Sequence, residues 1–414
     1  MSKSNVVEFA SRAGSDLLTE VCREGAVKML MRAIEAEVQA FLDQFEGQVS
    51  EDGRAAVVRN GYLPERALQT GIGPVTVKVP KVRSRTGEPV TFRSVLVPPY
   101  VRKSRSLEAA LPWLYLKGVS TGEMEEALKV LVGPDATGLS ASTVARLKQS
   151  WAAEYEAWRA KDLSQDDWVY LWADGIYSGL RSSTEKLCAL VIIGVNERGE
   201  KHFLAIEDGV RESTQSWREV LLRLKSRGLN SAKLSVGDGA LGFWAALDEV
   251  YPQTRHQRCW MHKTGNILNK LPKSAQPKAK QSLHEIWQAE TRADAVSAFS
   301  LFLETYEAKY PKAAECLEED REELLAFYDF PAKHWQSLRT TNPIESTFGT
   351  IRHRTKRSKG CLTRDGMLHM TFKLGMCAEQ NWHRLRGFDV LAKVITGIQF
   401  RDGIEVKKAD RIAA

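Results

Sequence analysis

At 414 residues the chain is too long for one ordinary hydrophobic core, so length favours two or three domains. Its 59 Lys and Arg outnumber 52 Asp and Glu, and the resulting net charge of +7 leans toward a polyanionic partner. The six cysteines lack paired spacing, and there is no signal peptide or run of eighteen apolar residues; this argues against a disulfide scaffold and a membrane span and points to a reducing, cytoplasmic setting.

From Ser15 to about Phe45, Leu17, Leu18, Val21, Val27, Leu30, Met31, Ile34, Val38 and Leu42 recur at threes and fours, which predicts a helix. The stretch GPVTVKVPKVRSRTGEPVTFRSVLVP then alternates Val75, Val77 and Val79 against Thr76 and Lys78, turns at 85–88 and resumes, which predicts a two-stranded ribbon. Thr76 to Arg105 holds eight Lys or Arg and one acid, Glu88. Such a ribbon suits a phosphate backbone, and it equally suits a solvated hairpin whose edges are guarded by charge. Next, a helix capped near Ser120 runs to Val132, breaks at Gly133-Pro134, and is followed by a second helix capped by Ser140. As a helix-turn-helix it would offer Ser142, Thr143, Arg146 and Lys148 to a DNA groove; as a packing unit it would offer nothing.

The texture changes near Asp166. Three strand-like runs (DWVYLWADGIYSGL, LCALVIIGVNERG, KHFLAIEDG), a helical STQSWREVLLRLKSRGL and the strand KLSVGDG predict an α/β core with helices on the faces of a mixed sheet. From about Lys270 to Asp329 the pattern is helical without clear strands, and it is helical again after Pro343, which predicts an all-helical insertion in the sheet-centred core. The expected organisation is a helical region over 1–70, a ribbon and helix-turn-helix over 71–160, a core over 161–265 and 336–414, and the insertion over 266–335.

Two Asp-Gly pairs stand out. An Asp-Gly between apolar runs usually marks a hairpin turn. Here the polar break after Asp174-Gly175 comes only at 181–186, and a helical pattern follows Asp238-Gly239, so neither behaves as one. On a period of two, Asp174 shares a strand face with Trp168, Tyr170 and Trp172, a costly place for a lone carboxylate. Two acids at strand ends of one sheet can converge. At about 4 Å they repel by roughly 4 kcal/mol at an effective dielectric of 20, a conflict that Mg²⁺ removes. Two such ions (Mn²⁺ is the alternative), bridged by a shared Asp, suit cleavage of a phosphodiester and usually need a third acid.

Glu345, in RTTNPIESTFGTIRHRTKRSKG, is the candidate. With Asn342 as cap and Pro343 opening a helix, it also fits a capping box. After it, Arg352, Arg354, Lys356, Arg357, Lys359, Arg364 and Lys373 occur with Asp365 as the sole acid, a run fit to hold flanking phosphates. A second region, 253–280, has no acid and contains Cys259 and His262, half of a zinc site with no second pair to complete it.

The stretch DGALGFWAALDEVYPQTRHQRCWMH, with Asp238, Gly242, Tyr251-Pro252, Gln257, Cys259 and His262, resembles the signature of the Mutator superfamily of transposases, whose bacterial branch comprises insertion-sequence transposases. WADGIY and TNPIES resemble the blocks around that family's first and third catalytic acids. The resemblance implies an RNase H-like core with an Asp-Asp-Glu triad, carried over as Asp174, Asp238 and Glu345, and a helical insertion across the 107 positions from Asp238 to Glu345. It implies accessory places near the active site for Cys259 and His262. It also implies metal-dependent DNA transposition, in which an element's end is cleaved to free a 3′-OH that attacks a second phosphodiester. The partners would be double-stranded DNA, as terminal inverted repeats and target, and further copies of the chain in a dimer or larger assembly. Localisation would be cytoplasmic, at the bacterial nucleoid. The residues favour neither circular intermediates nor cut-and-paste. A sequence-specific regulator would bind DNA without nicking it, and a simple nuclease would cut without joining. A small-substrate α/β enzyme lacks support from any Gly-rich phosphate loop or Gly-x-Ser-x-Gly elbow.

Overall fold

A computed structural model describes residues 17–104, 107, 114, 119, 124–132, 141–179, 186–209, 211–345, 348–349 and 363–407, with the backbone alone described at 125, 141–148, 178–179 and 186–187. The chain forms two compact units, residues 1–147 and 148–414.

In the first unit, α1 (Leu17–Asp43) supplies Ile34 and Val38 to a core completed by Leu68, Val75, Val77, Val79, Phe92 and Val97. Four strands follow: β1 (Val57–Tyr62), β2 (Arg66–Thr70), β3 (Gly73–Val77) and β4 (Pro80–Ser84). The ribbon expected across residues 85–88 is not what forms. β3 pairs antiparallel with β2 and β4 with β1, so the partners lie upstream, and no strand is found in the described chain from Gly87 to Ser104. The reason is visible in that segment. Phe92 and Val97 are buried, Glu37 accepts from Ser94 Oγ and from the Val95 and Leu96 N–H groups, and Arg66 donates to the carbonyls of Val97, Pro98 and Pro99. Side chains satisfy the backbone there, where three prolines could not complete a ladder. Helices α2 (Met124–Val132) and α3 (Ala141–Arg159) form, but 133–140 lies outside the described residues, and with it the turn of the expected helix-turn-helix.

The second unit is built on a five-stranded mixed sheet in the order β7-β6-β5-β8-β9: β5 (Trp168–Gly179), β6 (Lys186–Asn196), β7 (Lys201–Gly209), β8 (Leu234–Gly237) and β9 (Arg255–Arg258). β5, β6 and β7 run antiparallel, whereas β8 and β9 run parallel to β5. One face is covered by α4 (Thr214–Ser226) and α5 (Leu241–Val250), whose Trp217, Leu221, Leu224, Phe243, Ala246 and Leu247 join Leu171, Ala173, Leu190, Ile192 and Leu204 in one core. On the opposite face of β5, Tyr170 hydrogen-bonds His334 Nδ1 at 2.9 Å and Trp172 Nε1 donates to the Ser337 carbonyl at 3.1 Å. Trp168 does not share that face with Asp174. A register shift between Trp168 and Tyr170 turns it into the core on the helix-covered side, as a β-bulge does.

Beyond β9 come α6 (Trp260–Leu268), α7 (Gln276–Gln288), α8 (Arg292–Tyr306), α9 (Pro311–Glu318), α10 (Arg321–Leu325) and α11 (Trp335–Leu338), packed on Trp260, Leu283, Ile286, Phe299, Phe302, Leu317 and Phe327. After residue 363, α12 (Arg364–Glu379) lies against β7, with Gly375 close to Phe203. Another of the chain's Asp-Gly pairs, Asp402-Gly403, is a genuine hairpin turn. It joins the short strands β10 (Phe400–Arg401) and β11 (Ile404–Glu405) with φ of 49° and 76°, the primed-turn geometry that neither Asp174 nor Asp238 adopts.

Candidate active site

β8 pairs with β5 in parallel from Tyr170↔Leu234 to Ala173↔Gly237, so Asp174 and Asp238 are the next residues on two adjacent strands, level with one another. Neighbouring strands lie about 4.8 Å apart, which puts two carboxylates side by side at one end of the β5–β8 ladder. Asp174 is 6% exposed, inside β5 and opposite Val191 of β6; its Oδ1 accepts from the Gly175 N–H at 2.8 Å. Burial and the neighbouring Asp238 push its carboxyl up to about 7. Asp238 leaves the sheet. Its Oδ1 accepts from the Ala240 N–H at 2.9 Å, and Gly239 at φ 88° turns the chain into α5. The turn is braced from below by Arg258, whose guanidinium lies where a Gly239 Cβ would sit, 2.1 Å from Cζ. Asp320 accepts from both Arg258 Nε (2.9 Å) and the buried Lys263 Nζ (2.6 Å).

The third acid arrives on the helical turn 342–345. The helix begins one residue earlier than its sequence suggests: Asn342 is already helical, and the Thr341 carbonyl accepts from the Ile344 and Glu345 N–H groups. Nor does Glu345 close a capping box, because the Thr341 N–H donates to Cys259 Sγ (3.4 Å) and the Asn342 N–H to Thr340 Oγ1 (3.4 Å). The Glu345 carboxylate instead faces His262 Nε2 at 3.5 Å and accepts from Thr341 Oγ1 at 3.3 Å. His262 and Cys259 hydrogen-bond each other. That bond, reinforced by Asp174 and Asp238, raises the imidazole to about 9 against the effect of burial, so near neutral pH a cation stands among the three acids. Burial opposes ionisation of the Cys259 thiol, but hydrogen bonds from His262 and Thr341 carry it below its usual value. His262 thus faces Glu345 and feels the charges of Asp174 and Asp238, while Cys259 and His262 engage each other and Thr341.

The other signature positions are structural. A Cβ on Gly242 would lie 2.4 Å from the Glu212 carbonyl oxygen, Tyr251 donates to the Leu229 carbonyl, and the fully buried Gln257 donates to the Leu324 carbonyl. Sequence reading passed over Thr341, Arg258 and Glu212. The Glu212 side chain lies over Gly175, and its Oε2 is buried without a hydrogen-bond partner among the described residues. An acid just ahead of the Ser213 cap reads locally as helix-dipole compensation, so only the fold reveals it.

The oxygens gathered here are those that hard divalent cations take. Among the described residues no three His, Cys, Asp or Glu are grouped to hold an ion on their own. That is compatible with Mg²⁺, which is commonly held by one or two carboxylates and completed by water and substrate phosphate. An orphaned Glu212 oxygen and a raised Asp174 are what such a group would relieve, so the residues fit it.

Of the residues expected to grip DNA, Arg352, Arg354, Lys356 and Arg357 lie outside the described residues, and Arg146 and Lys148 lie on α3 with their side chains undescribed. Two members of the run after Glu345 are paired within the protein: Arg364 with Asp208 (2.7 Å) and Lys373 with Glu154 (2.5 Å).

The family model described as "Transposase, Mutator family" matches residues 3–384. The chain belongs to the Mutator family of transposases. Within it, the chain is 49% identical over 282 residues, 68% of its length and 95% of the relative's, to the transposase for insertion sequence element IST2 of Acidithiobacillus ferrooxidans. It is 47% identical over 297 residues, 72% and 92%, to that for IS6120 of Mycolicibacterium smegmatis. Similarity to the transposase for ISRM5 of Rhizobium meliloti (strain 1021) is lower, 28%, but extends over 378 residues, 90% and 92% of the two chains. No helix among the described residues is long and apolar enough to cross a membrane.

Proposed function

We propose that the chain is the transposase of an insertion sequence, cleaving DNA at the ends of its element and transferring the freed 3′-OH ends to target DNA, with an RNase H-like core as its catalytic unit. The observation that supports this reading is that Asp174 and Asp238 follow directly on the paired stretches of two adjacent parallel strands, with Glu345 facing His262, which feels both their charges. Asp174, Asp238 and Glu345 would hold two Mg²⁺ or Mn²⁺ ions. When bound, such ions activate an attacking oxygen and stabilise a leaving one. The chain's own residues set the stage for this chemistry. The Gly175 and Ala240 N–H groups fix one oxygen of each Asp, burial of Asp174 keeps bulk water away, and the His262 cation limits repulsion among the acids. Strand transfer exchanges one phosphodiester for another and needs no nucleotide cofactor.

In the same reading residues 71–160 and the run Arg352–Arg357 contact terminal repeats and target, residues 1–70 serve oligomerisation or DNA binding, residues 266–335 are an insertion in the core, and the protein works as a dimer or larger assembly in the bacterial cytoplasm. The experiment incubates purified protein with Mg²⁺ and labelled DNA carrying candidate element ends. Both nicked and joined strands are expected, and both are lost in Asp174→Asn, Asp238→Asn and Glu345→Gln while end binding persists. Near wild-type joining by any one variant removes that residue from the triad, and binding without nicking would make the chain a regulator.

A further inference from the structure

Glu212 stands in the connection between β7 and α4, remote in sequence from the three acids of the motif. Three contacts hold it in the site. A Cβ on Gly175, the residue after Asp174, would lie 2.4 Å from Glu212 Oε1, so the absence of a side chain there makes room for this carboxylate. Gly242, four residues after Asp238, does the same for the Glu212 backbone, because its Cβ would lie 2.4 Å from the Glu212 carbonyl oxygen and 2.8 Å from the Thr214 nitrogen. The Tyr177 hydroxyl, from the same strand as Asp174, acts on the carboxylate to favour its charged form. Each catalytic Asp is thus followed by a glycine that accommodates Glu212. What is left over is Oε2, buried and without a partner among the described residues, while Asp238 and His262 act on the same carboxylate and its charge in turn acts on Asp174. A carboxylate oxygen desolvated without a hydrogen bond is a cost to the fold, one that a bound cation would offset.

We infer that Glu212 is a fourth working carboxylate of the site, presenting Oε2 to a divalent cation held by Asp174 and Asp238 or to that cation's water. The inference rests on the metal-dependent reading above and deepens it. Glycine at 175 is then required to let a carboxylate from another element reach the metal, a need beyond backbone freedom, since Gly175 does not have the positive φ that marks Gly239.

The test is Mn²⁺ binding to the full-length protein, followed by the electron paramagnetic resonance of free Mn²⁺, alongside the melting temperature of the metal-free protein. Glu212→Gln keeps the shape and an acceptor for Tyr177 but removes the charge; it should weaken Mn²⁺ binding by about tenfold or more without lowering the metal-free melting temperature. Tyr177→Phe, at a half-exposed position where loss of one hydroxyl leaves the fold intact, should weaken it by a smaller factor. If Asp174→Asn loses Mn²⁺ while both Glu212→Gln and Tyr177→Phe bind it like wild type, Glu212 is not part of the site and the triad stands. If Asp174→Asn also binds Mn²⁺ like wild type, the metal-dependent reading falls, and this inference with it. A fall in metal-free melting temperature with unchanged Mn²⁺ affinity would make Glu212 a structural residue only.

Discussion

A carboxylate at 6% exposure beside another acid is there at a cost to the fold. Because Asp174 is desolvated and repelled by Asp238, replacing it with Asn removes an unfavourable charge while keeping an acceptor for the Gly175 N–H. We expect Asp174→Asn to raise the melting temperature of the metal-free protein by about 3 °C, the size of a 1 kcal/mol gain in a unit of this length, while abolishing cleavage. A lower melting temperature would mean that the charge is already neutralised in the fold. Glycine substitutions make a second contrast. Gly242→Ala sets a Cβ against the backbone of 212–214, which cannot swing aside, and should cost about 1–3 kcal/mol in denaturant unfolding. Gly265→Ala, in α6 with nothing within 4 Å of the new Cβ, should stabilise by up to about 1 kcal/mol. Equal effects of the two would remove close approach as the reason for glycine at 242.

Between elements, the join of α12 to β7 carries its own pH dependence. Glu379, the last residue of the helix, accepts from His202 Nδ1 (2.8 Å) and the Phe203 N–H (2.9 Å). The hydrogen bond to Glu379 raises the His202 pKa; burial and Lys161 oppose the shift, and Glu200 adds to it. A histidine raised by its partner contributes stability that is full below its unfolded value of about 6.5 and fades as pH rises through the native one. The melting temperature of wild type relative to His202→Gln should therefore be highest in mild acid and converge above that window; a constant difference would show that the pair does not titrate. The same scale explains what the sequence disclosed. Helical period and the Asp-Gly contexts placed α1, the strand through Asp174 and the strand before Asp238, because each depends on residues a few positions apart. Partner choice was hidden. Whether Val75 to Val79 pairs upstream or downstream is settled by Glu37 and Arg66, dozens of residues away, and the bulge at 168–170 that turns Trp168 over leaves no mark in an alternating run. Glu212 was hidden for the same reason: its role is written in Gly175 and Gly242, on other elements.

Over the whole molecule, an excess of basic residues in sequence is not the same as a basic surface. The acid-free stretch 253–280 looks like a nucleic-acid stripe, yet Arg255 pairs with Asp329 (2.8 Å), and Arg258 and Lys263 share Asp320 (2.9 and 2.6 Å), all on acids more than fifty positions downstream. Those three charges are paired within the protein. Arg364 and Lys373 are likewise engaged, which narrows the part of the late basic run available to phosphate to 352–359. Counterion release supplies the test, since each phosphate neutralised contributes about −0.9 to the slope of log K against log salt on duplex DNA. Neutralising Arg352, Arg354 and Lys356 together should weaken DNA binding and flatten that slope by up to about 3 units. Lys263→Gln, which removes a cation buried against Asp320, should lower stability and leave the slope unchanged. If the triple variant kept the wild-type slope, the run would be a solvated face, and contact with DNA would fall to basic residues elsewhere in the chain.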